Sequence, residues 1–101
     1  MSKVAVIAKL PAQPGKRDEL VEALTALVEN AKTEDGTVSY IMSTATTDDV
    51  TVWFWELYED DAALKVHSGS DTMKAVGSKL GGLLGGAPEL HVVTPVAGKG
   101  L

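Results

Sequence analysis

The chain of 101 residues has no cysteine. That excludes disulfides, thiolate zinc sites, iron–sulfur clusters and a cysteine nucleophile. It also suits a reducing cytoplasm, the expected location. Positive charge is scarce: nine Lys and Arg stand against fourteen Asp and Glu, a net charge of -5. With no basic run, the chain lacks an electrostatic footprint for nucleic acid or an anionic membrane, and neither is an expected partner. No uncharged apolar stretch approaches the roughly 20 residues of a membrane-spanning helix. The opening run Val4–Ala8 is too short for a signal peptide. There is no G-x-G-x-x-G, no P-loop and no H-E-x-x-H. The two histidines, His67 and His91, are far apart with no obvious third ligand, so no metal site is expected.

Apolar residues make up 45% of the chain, too many for a disordered one. At 10.6 kDa a folded monomer would expose roughly 5,500 Å², about a third of the unfolded surface. One domain over residues 1–101 follows, with no repeat and no linker.

Val4 to Leu10 is short and β-branched and ends at Pro11, which predicts a strand with Val4, Val6, Ala8 and Leu10 on one side. Pro11–Gly15 is a loop. Leu20, Leu24, Leu27, Val28 and Ala31 recur at helical spacing between Lys16 and Lys32, with Asp18 and Glu19 in the first turn. Gly36 marks the turn that follows. Val38, Tyr40, Met42 and Thr44 alternate with Ser39, Ile41 and Ser43, a second strand. Beyond the polar turn 46–49, Val50–Tyr58 is a third, forming a hairpin with it. Asp60 or Asp61 caps a short helix from Ala62 to about His67, and Ser70 or Asp71 caps another carrying Met73, Val76 and Leu80. Five of the ten glycines lie between Gly77 and Gly86, which predicts a weak helix end that could form a mobile wall of a pocket rather than a phosphate cradle. Leu90–Val96 is the last strand. The order β-α-β-β-α-β specifies an α+β, ferredoxin-like domain: a four-stranded antiparallel sheet with helices on one face.

The third strand is apolar on both sides. Trp53, Trp55 and Leu57 alternate with Val52, Phe54 and Tyr58. Helices cover one face of such a sheet, so the other would leave an apolar patch exposed. A homodimer is the expected cover; the alternative is the short C-terminal tail folded across it.

Four of the five aromatics, Trp53, Phe54, Trp55 and Tyr58, fall within six positions; Tyr40 is the fifth. They serve packing or line a pocket able to stack a planar ring. Glu56 shares a face with Phe54 and Tyr58 and, half-buried, needs a partner or a raised pKa. His67 points to the core side of its helix, either as a satisfied structural residue or as a proton acceptor. His91 has less support for a functional role.

The run Glu56-Leu57-Tyr58-Glu59-Asp60-Asp61-Ala62-Ala63-Leu64-Lys65-Val66-His67 resembles the antibiotic biosynthesis monooxygenase family, whose members carry a Glu-x-aromatic, an Asp-x-Ala-Ala-Leu and then a His. The opening strand, Pro14-Gly15, Asp35-Gly36 and Ala87-Pro88 fit as well, so the resemblance spans about residues 3–97. It implies a dimeric α+β barrel of two facing sheets, with a pocket in each subunit between sheet and helices. It further implies oxidation of a small phenol, hydroquinone or polyketide-like ring by O₂, with no metal, haem or flavin. His67, Tyr58 and Glu56 are then the catalytic candidates, and Phe54, Trp53, Trp55, Tyr40, Met73 and Leu80 the substrate-binding ones. The haem-degrading branch of the family uses Asn, Trp and His where this chain has Ala8, Tyr58 and Gly77, so haem degradation is not expected. The alternative function is a non-catalytic dimeric stress-response or ligand-binding protein on the same fold.

Overall fold

Residues 3–101 are described by a computed structural model. The β-branched opening forms β1 (Val4–Pro11), whose residues alternate between buried and half-buried along its whole length. It is followed by α1 (Arg17–Ala31), β2 (Thr37–Thr44), β3 (Thr51–Tyr58), α2 (Asp61–Ser68), α3 (Asp71–Gly77), a 3-10 turn (Leu80–Gly82) and β4 (Glu89–Val93). The four strands form one antiparallel sheet in the order β2-β3-β1-β4, as the ferredoxin-like pattern requires. Both short helices are capped by side chains: Asp60 accepts from the Ala63 N–H at 2.8 Å, and Ser70 from that of Met73 at 3.1 Å.

Helix α1 lays its apolar stripe on one face of the sheet. Leu20, Leu24 and Leu27 meet Ala8, Leu10, Val52 and Phe54, and Val76 of α3 completes the buried cluster. The hairpin between β2 and β3 is held by Asp48, whose carboxylate accepts from the backbone of Val50 and Thr51 and from the Thr51 hydroxyl. The Thr51 and Val50 N–H groups hold that carboxyl below its usual range.

Three local expectations change. Val38 does not join the inward face of β2. Thr37 pairs with Tyr58 and Ser39 with Leu57, so Val38 is the extra residue of a bulge and is exposed. The last strand stops at Val93 rather than Val96. Val93 is paired with Ala5, near the start of β1, and Pro95 has no N–H to extend the ladder. The glycine-rich segment is tied down at its far end. Leu84 bridges to Ala12, Gln13 N–H donates to the Leu83 carbonyl at 2.8 Å, and Gly85 N–H to that of Pro11 at 2.9 Å. Gly85 is there because of that approach: a Cβ on it would stand 2.7 Å from the Ala12 carbonyl oxygen.

The second sheet face carries no helix. Ile41 and Trp55 are 55% and 56% exposed on it, and Pro95 and Leu101 of the tail border it. The surface of 6171 Å² exceeds the roughly 5,500 Å² of a compact monomer this size. Among the described residues no helix is long and apolar enough to cross a membrane.

Candidate active site

Pleating decides which residues of β3 meet the helices. Val52, Phe54, Glu56 and Tyr58 face α1 and α2, and pair across β1 with Leu10, Ala8, Val6 and Val4. Between this face and the helices lies a cavity of about 280 Å³. A dry cavity of about 150 Å³ takes a benzene, so this one has room for a substituted ring or a fused pair. Phe54, Tyr40, Met73 and Leu80 line it, as does the polar pair Glu56 and His67. On the β4 side the wall is Leu90 and Val92, which are 65% and 62% exposed. The cavity therefore opens toward the sheet edge.

The polar groups form two buried pairs. Tyr58, fully buried, donates its hydroxyl to Glu56 Oε1 at 2.5 Å. Burial pushes the Glu56 carboxyl above its ordinary range, against the opposing pull of the Tyr58 hydrogen bond and of charge on His67. Burial and the Glu56 carboxylate push the Tyr58 hydroxyl up, so it stays a donor. The Tyr40 hydroxyl is raised for the same reasons.

The second pair joins His67 of α2 to Glu34 in the turn before β2. His67 Nδ1 is 2.8 Å from Glu34 Oε1, across 33 residues of sequence. Thr37 Oγ1 also donates to that oxygen, at 2.9 Å, and Asn30 Nδ2 to the other, at 3.3 Å. The imidazole lies 4.7 Å from the Tyr40 ring and 5.4 Å from the Tyr58 ring, centroid to centroid. His67 is 2% exposed. Its Nε2 is the one buried side-chain polar atom without a hydrogen-bond partner among the described residues.

The structure thus brings together His67, Tyr58, Glu56, Phe54, Tyr40, Met73 and Leu80. Trp53 and Trp55 are not with them: alternation turns both to the opposite face, where Trp53 carries the Lys9 ammonium 5.7 Å above its ring and Trp55 borders the uncovered patch. His91 is on that face too, beside Glu89. Glu34 is the residue that sequence reasoning missed. It sits in a polar turn that reads as solvated, and only the fold carries α2 onto it. Among the described residues no three His, Asp or Glu side chains converge to hold a metal ion.

Residues 3–78 match the family model described as antibiotic biosynthesis monooxygenase. Solved structures agree over nearly the whole chain. A candidate antibiotic biosynthesis monooxygenase from Caulobacter crescentus is 31% identical, with a TM-score of 0.89 over 95% of this chain and 92% of that one. Rv0793 from Mycobacterium tuberculosis is 29% identical, with a TM-score of 0.89 over 96% and 98%. A candidate enzyme of the same description from Chloroflexus aurantiacus is 28% identical, with a TM-score of 0.80 over 98% of each chain. No curated protein matches.

Proposed function

The chain belongs to the antibiotic biosynthesis monooxygenase family, and from that premise we propose that it oxidises a small hydroxylated aromatic ring with molecular oxygen, without metal, haem or flavin. The observation that carries this is an apolar cavity of ring size whose buried histidine has an unpartnered nitrogen.

In its simplest form a phenol and O₂ give a para-quinone and water. One oxygen atom becomes the new carbonyl, the other leaves as water, and the ring supplies all four electrons, so no further reductant is needed. His67 accepts the phenolic proton, leaving a ring rich enough in electrons to reduce O₂ itself. Phe54 and Tyr40 hold the ring, Met73 and Leu80 close over it, and the apolar walls exclude water. Glu56, bound by Tyr58, sets the polarity at the far end of the cavity. The working form is a homodimer whose uncovered sheet faces meet, burying Trp55 and Ile41.

Oxygen uptake with a panel of hydroquinones and hydroxylated polycyclic rings tests the proposal. Substrate-dependent consumption with quinone formation is the expected result. A folded protein that binds such rings and consumes no oxygen is instead a ligand-binding protein on the same fold.

A further inference from the structure

His67 is held at one nitrogen and unpartnered at the other. Glu34 faces three donors: His67 Nδ1 at 2.8 Å, Thr37 Oγ1 at 2.9 Å and Asn30 Nδ2 at 3.3 Å. An ionised carboxylate only accepts, so the proton of a neutral imidazole is on Nδ1 and the lone pair on Nε2. Nε2 is buried without a partner in the protein, on a side chain that lines the cavity. A buried acceptor left unpaired is costly, and the ligand is what can supply the missing donor.

The other polar groups at the cavity reinforce this bias. The Tyr58 hydroxyl is committed to Glu56 and that of Ser68 to the Leu64 carbonyl at 2.9 Å. Neither is free to donate to a ligand; Ser68 and Tyr40 carry the hydroxyls on the lining, and Tyr58 sits behind Glu56. A ring carrying only acceptors can take a bond from the Tyr40 hydroxyl but leaves the Nε2 lone pair unpaired.

We propose that Glu34 is a positioning residue that fixes the His67 tautomer, and that the cavity thereby selects rings by a hydrogen-bond donor, taking hydroxyl- or amine-bearing aromatics and rejecting their O-methyl and quinone counterparts. This rests on the reading that the cavity binds a hydroxylated ring and adds the rule by which the ring is chosen. It also separates substrate from product. A phenol donates to Nε2; the quinone formed from it has only carbonyl acceptors, loses that bond and leaves.

The test needs no turnover. Long-range ¹H–¹⁵N spectra of the unliganded protein, assigned with His91→Gln, should show His67 protonated on Nδ1 and bare on Nε2. Phenol should bind about tenfold or more tightly than anisole, which has the same ring and no donor, and should shift the Nε2 resonance. Glu34→Gln, whose amide can donate to Nδ1, should populate the Nε2–H tautomer and bring phenol and anisole to within about twofold. A wild-type ring protonated on Nε2 or on both nitrogens overturns the proposal, as does equal binding of phenol and anisole or binding of neither. The wild-type measurements decide even where Glu34→Gln does not fold. Donor-selective binding without oxygen uptake leaves this inference standing and removes the oxygenase reading; oxygen uptake with equal phenol and anisole affinity does the reverse.

Discussion

Gly36 lies so close to Ala63 that a methyl group on it would stand 2.5 Å from the Ala63 Cβ. This contact seats α2 against the start of β2, and the Glu59 N–H bonds the Gly36 carbonyl at 2.9 Å beside it. Glu34 is two residues before Gly36 and His67 one turn beyond Ala63. The packing of two small residues thus sets the distance between the carboxylate and the imidazole.

Gly36→Ala should accordingly push α2 away. Overpacking of this kind costs about 1–3 kcal/mol, and here the obstacle is a rigid Cβ. Urea denaturation should show that loss, and the His67 ring resonances should move because the bond to Glu34 lengthens. Unchanged stability with unchanged His67 resonances would mean that the methyl is accommodated without moving α2, and that this contact does not set the Glu34–His67 distance.

His67→Ala should lower the rate on a substrate that is protonated at the assay pH by roughly 10²–10⁴-fold, with the oligomer intact. A substrate already ionised in solution should lose less. Near-full activity on the protonated substrate makes His67 structural and leaves Glu56, Tyr58 or water as the base.

Glu56 gives a pH signature. Burial raises its carboxyl in the native state, so between its ordinary and its raised value the native state binds more protons than the unfolded one. Stability from this group is therefore present in acid and lost as pH climbs through the native value. Against Glu56→Gln, which does not titrate, the wild-type protein should lose relative stability as pH climbs from the ordinary glutamate value of about 4 through the raised native one. Burial is opposed there by the Tyr58 hydroxyl on its own strand, which donates to it, and by His67 from α2. A wild-type advantage that grew with pH would show that the hydrogen bond and His67 outweigh burial.

Trp55 and Ile41 are exposed on the uncovered sheet face, which a second copy is proposed to bury. Ile41→Asp and Trp55→Lys should each convert the dimer to a monomer by sedimentation velocity while leaving the circular dichroism unchanged. A wild-type protein that sediments as a monomer sinks the dimer outright.

Much of the architecture is legible in the chain because it depends on local periodicity. The alternation of Val4, Val6, Ala8 and Leu10, the helical spacing of Leu20, Leu24 and Leu27, and the capping residues Asp60 and Ser70 each act through neighbours a few residues away. The grouping of Phe54, Glu56 and Tyr58 on one strand face follows from the same pleat. Which face turns to the helices does not, because Trp53, Trp55 and Leu57 are as apolar as Val52, Phe54 and Tyr58. Only pairing with β1, whose Ala8 and Leu10 lie under α1, places Glu56 in the cavity and Trp55 on the open side. The bulge at Val38 and the early end of β4 likewise depend on where a partner strand runs out. Glu34 was beyond reach for a stronger reason. A carboxylate in the polar turn 33–36 reads as solvated, and its burial against an imidazole 33 residues away exists only once α2 has folded back over β2. The sequence by itself determined the elements and their order through short-range periodicity; the tertiary structure alone decided which carboxylate holds the histidine, because that bond is made across the fold.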